Sequence, residues 1–67
     1  MSGYYAFVIL GEEVVGGVVI DTWVEAVFVN REYAHFHEHR LNREAPPFIR
    51  YKTRSREITF YLSMGGD

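Results

Sequence analysis

The apolar residues of the first thirty positions follow the pattern of a β-hairpin. The segment from Tyr4 to Leu10 is dense in aromatic and β-branched residues, which suit a half-buried strand. Gly16 and Gly17 stand between two pairs of valines, and a type I′ turn needs positive φ at both of its central residues. We therefore expect a turn at Gly16-Gly17 with Val15 opposite Val18. The same register pairs Ile9 with Val24, Phe7 with Ala26 and Tyr5 with Phe28.

This register gives the two faces of the hairpin different polarity. One face is wholly apolar and consists of Tyr5, Phe7, Ile9, Val24, Ala26 and Phe28. The other face combines Glu25 with the apolar residues Val8, Leu10, Trp23 and Val27. The contrast predicts one buried face and one partly exposed face. The register also sets Glu12 opposite Asp21, and a bulge at Gly11 would relieve that repulsion.

Two other arrangements fit the same segment. Turns at Gly11-Glu12 and Asp21-Thr22 would give three short strands, although threonine adopts positive φ poorly. Residues 22–25 also match a capping box, which would begin a helix at Thr22. The valine-rich run that follows favours a strand.

The apolar spacing becomes helical after Asn30. Five residues recur at i, i+3, i+4, i+7 and i+8, namely Tyr33, Phe36, His37, Arg40 and Leu41. Asn30 is a suitable N-cap, and Pro46 disfavours helical geometry in the residue before it. The pattern predicts an amphipathic helix that ends at Glu44. A strand is the alternative for His35–His39, where polar and apolar residues alternate.

Residues 48–64 resemble a second hairpin in their patterning, with its turn at Thr53–Arg56. That register pairs Lys52 with Glu57 and Tyr51 with Ile58. The whole chain is then a single α+β domain over residues 1–67, with an antiparallel sheet built from two β-hairpins and one helix between them (β-β-α-β-β). If His35–His39 is extended, the alternative is an all-β small barrel.

Composition points to self-association. The chain has 67 residues, no cysteine, and 48% hydrophobic residues. A domain of this size has marginal stability, and the absence of cysteine excludes disulfides and thiolate metal sites. A second subunit can supply the missing burial, so we expect a homo-oligomer, with a dimer favoured. The expected interface is the partly exposed hairpin face with Val8, Leu10, Trp23 and Val27.

Charge divides the chain into an acidic platform and a basic segment. All seven cations lie between Asn30 and Arg56, whereas the first thirty residues carry only acidic charges. The predicted binding residues are Arg40, Arg43, Phe48, Arg50, Lys52, Arg54, Arg56 and Tyr61. Arginines pair with phosphates or carboxylates, and exposed rings stack on unpaired bases. The net charge of −2 is unusual for a dedicated nucleic-acid binder.

Three histidines at alternate positions suggest a weaker candidate site. On a helix, His35 and His39 lie one turn apart and Glu32 lies on the same side, a ligand set that zinc or ferrous iron accepts. Such spacings also arise by chance, and an exposed polar helix face explains them equally well. We predict no cofactor.

The sequence lacks the usual signs of catalysis. It contains no glycine-rich phosphate loop, no nucleophile elbow and no cysteine, so we expect a non-enzyme. No run of apolar residues is long enough to cross a bilayer, and no signal peptide is visible, so we expect a cytoplasmic protein. Two functions remain: binding of single-stranded RNA or DNA, or an interaction or inhibitor module that uses the same residues on an acidic protein surface.

Overall fold

The computed structural model of the chain describes the backbone of residues 3–59 and the side chains of residues 5–57. Its elements are β1 (Gly3–Val15), β2 (Val18–Phe28), α1 (Arg31–Glu44) and β3 (Ile49–Thr59). The strands form one antiparallel sheet in the order β2-β1-β3. The expected small α+β fold is confirmed at this level.

The predicted second hairpin is wrong. Residues 53–56, its expected turn, lie inside β3, a single strand of eleven residues that pairs along its whole length with β1. Lys52 is opposite Leu10 and Glu57 is opposite Tyr5, so the expected Lys52–Glu57 pair does not form. The long central strand offers many more ladder bonds than a local turn could, and residues 53–56 include no glycine, asparagine or proline to bend the chain. The four-stranded β-β-α-β-β order is therefore replaced by three strands; the rest of the expected last strand, 60–64, lies outside the described residues.

The first hairpin turns where the sequence predicts. Gly16 and Gly17 have φ of 60° and 80°, and Val15 pairs with Val18. Beyond the turn the register shifts twice, because Ile20 and Glu25 on β2 have no partner on β1. These irregularities replace the bulge expected at Gly11.

The two shifts change most of the predicted pairs. Phe7 pairs with Phe28, Ile9 with Ala26 and Leu10 with Val24. Asp21 consequently faces Glu13 rather than Glu12. Since each shift of one residue exchanges the faces of a strand, the bulges decide which β2 side chains share a face with which β1 side chains.

Helix α1 begins and ends as predicted. The side chain of Asn30 accepts hydrogen bonds from the backbone N–H groups of Glu32 and Tyr33, and the helix ends before Ala45-Pro46. Its buried face differs from the prediction, because Ala34 is buried whereas Tyr33 and Phe36 are 67% and 70% exposed. A small side chain at the contact allows the helix to approach the sheet closely, and the rings point to solvent.

The helix lies on one face of the sheet and is held there by polar contacts as well as apolar ones. The side-chain amide of Asn42 donates to the carbonyl of Tyr51 and accepts from its N–H, at 3.0 and 2.8 Å. The hydroxyl of Thr53 donates to Glu38 at 2.6 Å. The helix is thus joined to β3, one of the two edge strands.

The core is small. Among the described hydrophobic residues only Ala6, Ile9 and Ala34 are buried. The radius of gyration is 15.2 Å, compared with about 11 Å for a compact domain of this length. The fold therefore leaves much apolar surface exposed. No helix within residues 3–59 is long and apolar enough to cross a membrane.

Candidate functional site on the open face of the sheet

The face of the sheet opposite α1 carries most of the residues predicted to bind a partner. We call it the open face, since no described element packs on it. Its β3 side consists of alternate residues that we call the basic column: Arg50, Lys52, Arg54 and Arg56. Its β1 and β2 side carries the polar residues Glu12 and Thr22 and six aliphatic ones: Val8, Leu10, Val14, Val19, Val24 and Val27. We call this second region the aliphatic half.

Strand geometry sets the spacing of the basic column. Alternate residues of a strand point to the same face and lie roughly 6.6 Å apart. Phe48 directly precedes β3, and its carbonyl accepts a hydrogen bond from the N–H of Val14 at 2.7 Å. Phe48 is exposed. The prediction that these residues share a binding surface thus remains consistent with their placement, although they come from one strand rather than from a hairpin.

A buried carboxylate lies beside two members of the column. Glu12 is 6% exposed, and its oxygens lie 2.8 Å from Nε of Arg50 and 2.9 Å from Nζ of Lys52. The hydrogen bond from Lys52, followed by that from Arg50, lowers the pKa of Glu12. Burial opposes this shift only partly. Arg50 and Lys52 are therefore oriented by an internal anion.

Arg54 and Arg56 differ from these two cations. They stand opposite Val8 and Ala6 on β1, and both are exposed. Neither forms an ion pair with any side chain of residues 5–57. Their guanidinium groups are thus available to an anionic group from outside this part of the chain.

The remaining predicted binding residues are not brought to the column. Arg40 and Arg43 are exposed on α1, which packs against the opposite face of the sheet. Tyr61 lies outside the described residues. The described part of the candidate site is therefore the basic column together with Phe48.

Trp23 does not lie on the open face, where the sequence placed it. It pairs with Gly11, and its indole occupies the space that a Cβ atom on Gly11 would need. The ring of Tyr51 meets the indole edge-on at a centroid distance of 6.2 Å, and the indole N–H donates to Glu25 at 2.9 Å. Burial, with a smaller contribution from Glu25, raises the pKa of Tyr51. The shift at Glu25 turns Trp23 towards the side of α1, whereas Val8, Leu10 and Val27 remain on the open face.

The histidines do not converge on one site. The ring of His37 packs edge-on against the ring of Phe28 with 5.3 Å between their centroids, and Nδ1 of His35 lies 3.5 Å from Oε1 of Glu38. No three histidine, aspartate or glutamate side chains in the described region lie close enough together to hold a metal ion, and this includes the predicted set of Glu32, His35 and His39.

Sequence reasoning missed the central role of Glu12. It expected Glu57 to pair with Lys52, whereas the carboxylate that Lys52 binds lies forty residues earlier in the chain. No local pattern reveals such a contact. The only signal was that a largely apolar strand contains two adjacent glutamates, and any one of them that is buried must find a cation.

Comparison with known protein families, with curated proteins and with solved structures finds no significant match to this chain.

Proposed function

We propose that the chain is a small non-catalytic binding domain that docks its basic column on an acidic surface of a protein partner. The observation that supports this proposal is the state of Arg54 and Arg56. Both are exposed on a flat face, and neither meets a carboxylate within residues 5–57. Arginine binds carboxylates through a planar fork of donors, and it is enriched among residues that contribute most to protein interfaces.

The surroundings of the column favour a protein over a nucleic acid. The neighbouring side chains on β1 are Val8 and Leu10, which offer aliphatic packing but no ring on which a base can stack. Glu12 already pairs with Arg50 and Lys52, which among the described side chains leaves Arg54 and Arg56 as two free cations rather than a row of four that could follow a phosphate backbone. Aliphatic residues next to arginines are a common composition for a surface that meets another protein.

Charge reversal tests the proposal. The full chain, a variant with Arg54→Glu and Arg56→Glu, and a control with Arg40→Glu and Arg43→Glu would be used to capture partners from nuclease-treated extract of the source cells. Because both pairs change the net charge equally, a general loss of positive charge would affect them alike. We expect one protein, identified by mass spectrometry and retested in purified form, to bind the chain and the control but not the β3 variant. Equal binding to all three would overturn the proposal.

Single-stranded RNA or DNA is the second candidate ligand. The observation that favours it is the regular placement of four cations on one strand with Phe48 at the end of the row. Cations in a row can follow a phosphate backbone, and Phe48 offers one stacking surface.

A titration with a labelled oligothymidine separates this candidate from the first. If the column neutralises four phosphates, affinity should fall about 50-fold between 50 and 200 mM salt. Loss of binding in the variant with Arg54→Glu and Arg56→Glu, but not in the helix control, would support a nucleic-acid site. Absence of binding at 50 mM salt would exclude it.

A further inference from the structure

We propose that the aliphatic half of the open face is covered by a second copy of this chain, in a face-to-face dimer that leaves both basic columns at opposite rims. This inference does not depend on what the basic column binds. It follows from three observations: the apolar surface left uncovered, the obstruction of both edges of the sheet, and the position of the cations.

The first observation is the amount of exposed surface. Three valines of β2 on this face, Val19, Val24 and Val27, are 41%, 61% and 56% exposed. Their neighbours Val8 and Leu10 on β1 extend the same aliphatic surface. A contiguous apolar patch of this kind is typical of a surface that meets another protein.

The second observation is that both edges of the sheet are partly obstructed. Along β2, the unpaired residues Ile20 and Glu25 interrupt the regular edge, and such bulges hinder pairing with another strand. Along β3, the amide of Asn42 occupies both backbone groups of Tyr51. The N–H of Ile49 is likewise bonded to the carbonyl of Pro46 at 3.0 Å. Each edge is thus partly obstructed, whereas no described element covers the open face.

The third observation selects the orientation. If β3 lay over β3 of the partner, eight cations would face one another with only two Glu12 carboxylates between them. A two-fold axis parallel to the strands, between β1 and β2, avoids this repulsion. It places β1 over β2 of the partner and carries each β3 outward to the rim. Stacked sheets lie about 10 Å apart, a distance that aliphatic side chains from two faces can fill.

This orientation makes specific pairs. Leu10 lies opposite Val24 within one chain, and Val8 lies opposite Val27. Rotation about the proposed axis therefore brings Leu10 over the partner's Val24, and Val8 over the partner's Val27. The interface is isologous, so each substitution acts twice.

Light scattering and sedimentation of the full chain test the dimer. We expect a dimer at micromolar concentrations, and Val24→Lys should raise its dissociation constant at least tenfold, because a lysine would be buried against the partner's Leu10. The matched control is Val29→Lys, since Val29 is exposed but lies beyond the end of β2. A chain that stays monomeric at 100 μM, or a Val29→Lys change as disruptive as Val24→Lys, would overturn the proposal.

A cysteine experiment remains decisive even if Val24→Lys unfolds the chain. Because the sequence contains no cysteine, Leu10→Cys and Val24→Cys chains each carry a single thiol. When each chain is treated with a short bis-maleimide, we expect a crosslinked dimer, because positions 10 and 24 lie on facing sheets about 10 Å apart, which is too far for a disulfide. Absence of a crosslink at both positions, or equally ready crosslinking of a Phe36→Cys chain, whose thiol is exposed on α1, contradicts the arrangement.

Discussion

The two faces of the sheet are built from the same strands, yet they are completed in different ways. On the helix-covered face, Ile9 is fully buried, Trp23 and Tyr51 pack ring against ring, and Thr53 donates to Glu38. On the open face, Val24 is mostly exposed, and among residues 5–57 the one buried polar side chain is the carboxylate that holds Arg50 and Lys52. The described residues thus contain apolar side chains for two layers of packing but one helix, which covers one of the two faces. One face therefore determines the fold of the monomer, and the other is available for binding.

The largest effect should come from truncating the same kind of side chain on each face. Ile9→Ala removes the largest fully buried side chain, and such deletions cost about 2–5 kcal/mol of the free energy of unfolding. Val24→Ala should cost less than about 0.5 kcal/mol at a concentration where the chain is monomeric, because its side chain is already in water. Urea denaturation at two protein concentrations measures both changes.

The concentration dependence sharpens this comparison. We expect the decrease in the free energy of unfolding caused by Ile9→Ala to be independent of protein concentration. The decrease caused by Val24→Ala should grow as dimers form. If both variants were equally destabilised in the monomer, the open face would belong to the core and the contrast between the faces would be wrong.

A smaller effect should follow from crowding the helix-covered face. A Cβ atom on Gly11 would lie 2.4 Å from the indole of Trp23, so Gly11→Ala must displace the ring from Tyr51 and Glu25. Overpacking of this kind costs about 1–3 kcal/mol. The emission of the single tryptophan reports the displacement directly, and we expect a shift to longer wavelength.

A double-mutant cycle gives the control. In a Trp23→Ala background, Gly11→Ala should cost much less, since the obstructing ring is gone. Equal losses in both backgrounds would show that the alanine disturbs the strand and not the indole.

Local signals predicted those parts of the fold that depend on local chemistry. The turn at Gly16-Gly17 and the helix that starts after Asn30 both follow from residues next to each other in the chain. The continuous strand β3 could not be found in this way, because its partner is β1, some forty residues earlier. The two shifts on β2 were equally hidden, since nothing in the neighbouring residues marks Ile20 and Glu25 as the ones without a partner.

The candidate site shows the same division. Alternation along residues 50–56 predicts four cations on one face, and β3 keeps this alternation because it continues through the expected turn. Which of those cations are already engaged could not be predicted, because Glu12 reaches Arg50 and Lys52 only across the ladder between β1 and β3. Trp23 was assigned to the wrong face because a single unpaired residue reverses the alternation.

The smallest expected effect concerns the one buried charge of the open face. The folded chain holds the pKa of Glu12 below its ordinary value of 4.5, so the unfolded chain takes up a proton first as the pH falls. The contribution of Glu12 to stability is therefore complete above that ordinary value, and it is lost as the pH falls through the lower pKa of the folded chain. Glu12→Gln should remove this component, and unfolding midpoints in urea between about pH 3 and pH 7 should depend less steeply on pH.

At neutral pH we expect Glu12→Gln to matter less than either core substitution, because Arg50 is exposed and Lys52 is half-buried, so both cations keep contact with water when the carboxylate becomes an amide. A variant with Arg50→Gln and Lys52→Gln tests the same contact from the side of the cations. It should reduce the pH dependence of the unfolding midpoint in acid to a similar degree. If the glutamine variant kept the wild-type pH dependence, the carboxylate would not be held by these cations in solution. Glu12 would then no longer distinguish the engaged half of the basic column from Arg54 and Arg56, and all four cations would have to be treated as one binding surface.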